Sequence, residues 1–292
     1  MDFRLTDDQR ALAAGARRAL ERLWPRDALR EPVDRARLRE LWRGLGDAGF
    51  FALRLPEEAG GTGLGAAEAV LVLEEAGRAL LPGPLVATQL AAGTVGGAAE
   101  GRTVVTRVDG TLVTWLDAAD RVHGGAECAG AVALRSVDPL TPLHRVPGPA
   151  AAYEPAAALL IAAEQLGSAA RTTETAVRHA GEREQFGRPV GSFQAVKHLC
   201  AEMFVRAETA RAAVYAAAVT EDPVEIAGAK LLADEAAVRN ARDCLQVHGG
   251  MGFTWEAEVH LHLKRAWVRA RMRPVEEEAA ELLAKALGAG NG

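Results

Sequence analysis

Cysteine is scarce in this chain of 292 residues: Cys128, Cys200 and Cys244 are all there is, and they share no close spacing. An odd, scattered set argues against a disulfide framework or a zinc site and suits a reducing cytoplasm. Aromatic residues make up only 5% while alanine is abundant, which favours helix over sheet. No apolar run reaches membrane-spanning length. The start, Met1-Asp2-Phe3-Arg4, has an acidic residue at once and no signal-peptide core. Large charge excess is missing too. A net charge of −5 gives no reason to expect nucleic acid as a partner. The expectation is a cytoplasmic chain with no metal site and no membrane span. What is present, 49% apolar and 25% charged residues, is the balance of a globular protein with a sizeable core.

The first hundred residues read as helices. Thr6 with Gln9 three residues on is a capping-box pattern, and Leu12, Ala16, Leu20 and Leu23 follow at helical spacing. A second helix is expected over Val33 to Ala48 with a stripe of Leu38, Leu41, Trp42 and Leu45. Phe50 to Leu55 reads as a short extended link. The loop Gly60-Gly61-Thr62-Gly63-Leu64-Gly65 lacks the Lys-Ser/Thr of a phosphate loop. Helices over Ala66 to Ala79 and Leu85 to Ala92 complete this part.

Between Arg102 and Pro147 the pattern changes. Thr103 to Val108 is β-branched, Asp109-Gly110 is a hairpin signal, and Thr111 to Leu116 answers it. Ala131 to Leu134 and Leu143 to Val146 read as further strands. So short a β module needs helices to cover it. Helical patterns return over Ala156 to Ala180, Ser192 to Thr220 with Ser192 as cap, Pro223 to Val247, Val259 to Ala270 and Val275 to Leu287. Long helices joined by short loops predict a bundle. The domain expectation is therefore 1–100 helical, 101–150 β and 151–292 helical bundle.

Two loops carry the functional signal. Glu182 to Pro189 reads E-R-E-Q-F-G-R-P, with Phe193 and Gln194 close behind, and Gln246 to Phe253 reads Q-V-H-G-G-M-G-F. The Arg183 fork suits a phosphate pair. Phe186 offers a stacking face. Gly249 and Gly250 let a ligand approach the backbone. The same residues also read as a surface ion pair and a plain helix stop. His248, beside the glycines, reads as packing or capping. In the run Lys264 to Arg273, five of ten residues are Lys or Arg. Leu263, Trp267 and Ala270 at helical spacing make it a solvated or interface helix face rather than a nucleic-acid patch.

The sequence resembles the acyl-CoA dehydrogenase family over most of its length. The likeness runs through L-T-D-D-Q at Leu5, L-P-E-E-A-G-G-T-G-L-G at Leu55, L-E-E-A-G-R-A-L-L-P-G-P at Leu73, R-E-Q-F-G-R-P-V-G-S-F-Q-A-V-K-H at Arg183 and Q-V-H-G-G-M-G-F at Gln246. The resemblance implies a mainly α fold: an N-terminal helical domain, a middle β domain, truncated here, and a C-terminal four-helix bundle. It implies FAD, an acyl-CoA thioester substrate and an electron-transfer flavoprotein-like acceptor. Carried over by motif, the FAD contacts are Arg183, Glu184, Gln185, Phe186, Phe193, Gln194, Gln246, Gly249 and Gly250, facing a flavin held largely by the neighbouring subunit.

The resemblance also implies a carboxylate base, at one of two positions. Counting from the motifs, these fall at about Arg273 and Ala157, and neither residue can take a proton. Glu154 is a weak candidate for a displaced base; the Glu276-Glu277-Glu278 triplet reads as a solvated helix start. The Gly-Ser-Asp turn and Trp-x-Thr-Asn strand expected to hold the flavin ring are missing from 102–147. The family includes actinobacterial α2β2 enzymes of steroid side-chain breakdown, built from two unlike chains, one of them reduced. The expectation is a reduced subunit of that kind, inactive alone and paired with a homologous full-length subunit. The alternatives are a self-sufficient homo-oligomer using Glu154 and a helical scaffold without flavin.

Overall fold

The computed structural model describes residues 4–125 and 128–289. The outermost residues of the expected first and last domains, 1–3 and 290–292, lie outside them.

The chain opens with α1 (Asp7–Leu23), α2 (Arg35–Asp47), α3 (Ala66–Arg78) and α4 (Leu85–Ala91). Thr6 caps α1 as its sequence predicts. Its hydroxyl accepts from the Gln9 N–H at 3.1 Å and the Gln9 side chain accepts from the Thr6 N–H at 3.0 Å. Asp34, not Val33, starts α2, accepting from the Arg37 N–H. Leu38, Leu41, Trp42 and Leu45 are all buried. The expected extended link at Phe50 to Leu55 is instead a run of turns, with Phe50, Phe51 and Leu53 buried. The aromatic rings fold the backbone inward because burial outweighs the local preference for extension.

The β module is small. β1 (Val105–Thr106) pairs in parallel with β4 (Arg121–Val122), while β2 (Val108–Asp109), β3 (Leu112–Thr114), β6 (Leu143–Arg145) and β5 (Val132–Leu134) form an antiparallel sheet in that order. Asp109-Gly110 makes the expected hairpin, with Val108 opposite Val113, Asp109 opposite Leu112, and Gly110 at φ 59°. Thr103 to Val108 is not one strand. Asp120 accepts from the Val104 N–H at 3.0 Å, and β1 peels away to a long-range partner.

The bundle consists of α5 (Pro155–Glu182), α6 (Gln194–Thr220) and α7 (Pro223–His248), with α8 (Val259–Arg269) and α9 (Glu276–Ala289) packed on α7. Ser192 does not cap α6: it ends a 3-10 turn, and Phe193 occupies the cap position. Alanine lets these helices approach closely. α3 crosses α5 at Gly77 and Gly167, where a Cβ would stand 2.0 Å from the Glu164 carbonyl and 1.9 Å from the Glu74 carbonyl. The main core runs unbroken from α1 and α2 through α3 into α5, α6 and α7.

Candidate functional site

α5 ends at Arg183, and the loop that follows is a two-stranded hairpin, β7 (Glu184–Gln185) with β8 (Arg188–Pro189). Its two turn residues, Phe186 and Gly187, both have positive φ, 53° and 75°. That is the twist a two-residue hairpin requires. A phenylalanine there is an outlier, since the left-handed conformation crowds its Cβ. Phe186 is also 91% exposed, so the fold spends backbone strain on presenting a ring to solvent. Phe193 holds the hairpin. Phe186 meets it edge-on at 6.1 Å and the Arg188 guanidinium lies 4.3 Å above its ring. Arg183, Glu184, Gln185 and Gln194 are exposed. The Arg183 side chain makes no hydrogen bond or ion pair among the described residues.

α7 ends at His248 and runs on as a 3-10 turn, Gly249–Phe253. Gly249 has φ 59° and ψ −141°, a conformation for glycine. Gly252 packs against the Leu245 carbonyl, 2.8 Å from where a Cβ would sit. Gly250 has neither reason: its φ is ordinary and a Cβ would meet nothing. Gln246, Gly249 and Gly250 are exposed. The His248 Nδ1–H donates to the Cys244 carbonyl at 2.7 Å, and the ring stacks on His179 of α5 at 4.1 Å. The stack joins the ends of α5 and α7, so both sequence segments lie at one end of the bundle. Burial, then the charges of His248 and Arg183, push the His179 imidazole pKa down. Exposed apolar side chains continue across this end: Met251, Phe253 at 75% and Trp255 at 72%.

The residues at the two family base positions sit elsewhere. Ala157 is buried in the first turn of α5. Arg273 donates to Glu278 at 2.9 Å and to the Ala151 carbonyl at 2.6 Å, while its backbone N–H donates to Asp109. Glu278 accepts from the Val275 N–H as well, so one member of the acidic triplet is committed to structure. Glu154 stands just before α5, with its carboxylate 3.0 Å from Arg107 and 3.9 Å from the His123 ring.

Between these positions, where β3, α4, α5 and α8 meet, the cavity is only about 60 Å³, lined by Thr106, Thr114, Trp115, Ile161, Glu164 and Met272 among others. Sites for small molecules begin at roughly 300 Å³. Ion pairs that the sequence reading missed fill the space. Arg269 donates to Glu164 at 2.6 Å, and Arg265 pairs with Asp138 and donates to the Leu81 and Leu140 carbonyls. Nearby, Lys230, fully buried, pairs with Asp234 and donates to the Arg269 and Met272 carbonyls at 3.2 Å. Burial pushes the Glu164 carboxyl up and the Arg269 guanidinium down to about 10. The basic run is thus corrected. Arg265 and Arg269 face inward to carboxylates, while Trp267 of the supposed inner stripe is 39% exposed. One signal was visible: Glu164 is a lone acid in the run A-A-A-L-L-I-A-A-E.

Residues 6–99 match the acyl-CoA dehydrogenase N-terminal domain and residues 156–287 the C-terminal domain of the same family. Acyl-CoA dehydrogenase IpdE2 of Mycobacterium tuberculosis is 37% identical over 82% of this chain and 84% of its own length. The chain belongs to the acyl-CoA dehydrogenase family. Acyl-CoA dehydrogenase FadE34 of the same organism is 34% identical over 90% of this chain, which spans only 45% of that relative. Among solved structures, the ChsE4-ChsE5 complex from Mycobacterium tuberculosis superposes with a TM-score of 0.82 at 25% identity, covering 99% of both chains. Another solved protein of this fold, PigA, superposes with a TM-score of 0.79 at 20% identity, covering 99% of both chains, and is an FAD complex. The two family segments, Arg183 to Gln194 and Gln246 to Phe253, are the exposed bundle end described above. Among the described residues, no group of three or more His, Cys, Asp or Glu side chains is placed to hold a metal, and no helix is long and apolar enough to cross a membrane.

Proposed function

We propose that this chain is the half-site subunit of a cytoplasmic, heteromeric, FAD-dependent acyl-CoA dehydrogenase that introduces an α,β double bond into an acyl-CoA, a steroid side-chain ester in the leading version. The flavin supplies the hydride acceptor of that chemistry. The observation that carries the reading is the mismatch between the bundle end and the interior. The end presents free donors and a ring, while the interior where ring and thioester would lie is about 60 Å³ and crossed by ion pairs.

The residues fit one part of FAD and not the other. Arg183 would neutralise phosphate charge through its fork. Phe186 would stack, Gln246 would donate or accept, and Gly249 and Gly250 would admit the ligand to the backbone. Glu184, Gln185, Phe193 and Gln194 would shape that edge. Among the described residues, none at the family base positions stands ready to remove a proton: Ala157 and Arg273 cannot, and Glu154 is held by Arg107. A homologous full-length partner would supply the base and the ring pocket, in an α2β2 assembly that passes electrons to a flavoprotein-like acceptor. Two comparisons support a two-part site. FadE34 has room in its length for a second unit of this size, and ChsE4-ChsE5 is itself a complex of two components. The exposed Met251, Phe253 and Trp255 give such a partner an apolar contact.

The test is flavin content and mass of the chain alone and co-expressed with a full-length homologue. Flavin only in the mixed complex, about one per pair of unlike chains, is the expected result. One flavin per chain alone, with oxidation of an acyl-CoA, would overturn the reading. Flavin content indifferent to Arg183→Ala would instead leave a scaffold.

A further inference from the structure

Two adjoining cavities of about 470 Å³ each lie along α5 and α8, one against α1 and the turn after it, the other against that turn and the end of α7. Both are within the size range of small-molecule sites. They share Arg171 of α5, His262 of α8, and the paired Arg26 and Glu258. Arg171 is half-buried and makes no hydrogen bond or ion pair among the described residues. Burial lowers its guanidinium pKa, and the charges of Arg26, Arg178 and Arg78 lower it further. A planar group with five N–H donors is therefore set between other cations with nothing to donate to.

The carboxylates in the walls do not answer it. Glu258 is taken by Arg26 at 2.9 Å, Glu75 by Arg17 at 2.7 Å, and Glu174 by Arg78 at 2.5 Å. The uncommitted acids, Glu21, Asp27, Glu182 and Glu256, are exposed at the rim. The other walls add an apolar ring and one more cation. Trp24 is buried and gives one cavity an apolar wall, its indole N–H turned away from the open space. Arg178, exposed in the wall of the other cavity, has no carboxylate partner among the described residues. His262 is buried, its imidazole pKa pushed well down, chiefly by burial, and Ser168 lies 2.8 Å from its Nδ1. An unpartnered guanidinium inside, a second cation at the mouth and uncommitted acids only at the rim are complementary to an acceptor-rich anion.

We propose that Arg171 is the centre of an anion site in this cleft that takes a phosphate-bearing ligand of nucleotide size. The guanidinium fork engages two phosphate oxygens, Arg178 adds charge at the mouth, and the cavity on the Trp24 side receives the rest of the ligand. One cavity reaches the bundle end, where Glu182, His248 and Met251 of the two family segments line its wall, while Arg171 and the cavity on the Trp24 side lie outside those segments.

The test is calorimetric titration of the chain, in complex with its partner if it is isolated that way, with ADP, coenzyme A and inorganic pyrophosphate at low salt. At least one binds. Arg171→Met weakens it about tenfold or more, from loss of one charged hydrogen-bonded contact. Arg171→Lys loses less, because charge remains without the fork. Arg178→Met, at an exposed position that leaves the core intact, weakens binding a few-fold and decides the matter if Arg171→Met fails to fold. Equal binding of pyrophosphate assigns the affinity to phosphate alone, and preference for ADP or coenzyme A adds the nucleoside. Binding by none of the three overturns the proposal. So does binding insensitive to Arg171→Met and Arg178→Met, or binding abolished by Arg183→Ala instead, which would put the ligand on the flavin edge.

Discussion

The pair Arg269–Glu164 offers a decisive perturbation, because the reading of the interior as filled space rests on it. Glu164 is 6% exposed and Arg269 is 5% exposed. The contact is a single N–H at 2.6 Å, and the other terminal nitrogen of Arg269, Nη1, is buried without any partner. Removing one member of a buried pair typically costs about 3–5 kcal/mol. Glu164 is already pushed toward its neutral form by burial and would take a proton when left alone, so Arg269→Met belongs at the low end, about 3 kcal/mol. With an unfolding entropy of roughly 0.6 kcal/mol per kelvin for a chain this long, that lowers Tm by about 5 °C. The double variant Glu164→Met with Arg269→Met removes both charges and the orphaned N–H. Apolar replacement of a buried pair is often neutral or stabilising, so its Tm returns to within about 2 °C of the parent or rises. Calorimetry and thermal circular dichroism read both. Turnover of the mixed complex on an acyl-CoA panel is the functional arm, and the double variant should retain it. A double variant as unstable as the single one would refute the packing argument. A folded double variant in a flavin-loaded complex without turnover would make Glu164 part of the chemistry and refute the half-site reading.

Phe186→Asn should leave Tm unchanged or raise it, because asparagine suits the left-handed turn position where phenylalanine costs about 1–2 kcal/mol, yet flavin retained per complex should fall. If retention is unchanged, the ring has no ligand. Glu154→Gln should leave turnover of the mixed complex within about twofold, since its carboxylate is spent on Arg107; loss of turnover would restore the displaced base. Asp138 gives a pH prediction. Burial raises its carboxyl, but the Arg265 charge, the Thr141 hydroxyl and the Leu140 N–H outweigh that and hold it below the usual range. A depressed folded pKa means stabilisation present above the unfolded value of about 3.9 and lost as pH falls through the folded one. Asp138→Asn should therefore flatten the acid limb of the stability curve below about pH 4, and an unchanged limb would place that stability elsewhere.

Local chemistry made much of the fold legible. Thr6 with Gln9 and Asp109 with Gly110 are short-range devices whose partners lie within four residues, so the sequence contains the whole interaction. The long helices were legible because alanine-rich periodicity persists over many turns. Phe50 to Leu55 and Thr103 to Val108 misled for the opposite reason. Their backbone paths are decided by burial of aromatic rings and by Asp120, partners that are distant in sequence. Ser192 had the right chemistry for a cap, yet the 3-10 turn closed by the bond from Phe193 to Val190 holds it one residue short.

The site divides along the same line. Glu164 and Arg269 are 105 residues apart and Asp138 and Arg265 are 127 apart. Read alone, two arginines four positions apart look like a wet helix face, and only their partners turn them inward. The bundle end was legible because its residues do not depend on such partners. Arg183 has no ion pair among the described residues, Phe186 holds a conformation that a bulky side chain avoids, and Gly250 has nothing to clear. Packing within the chain accounts for none of the three. The proposed flavin contact would explain all of them at once, since a molecule approaching this end from outside would offer acceptor oxygens to the guanidinium and a flat face to the ring, and would pass where the backbone carries no Cβ.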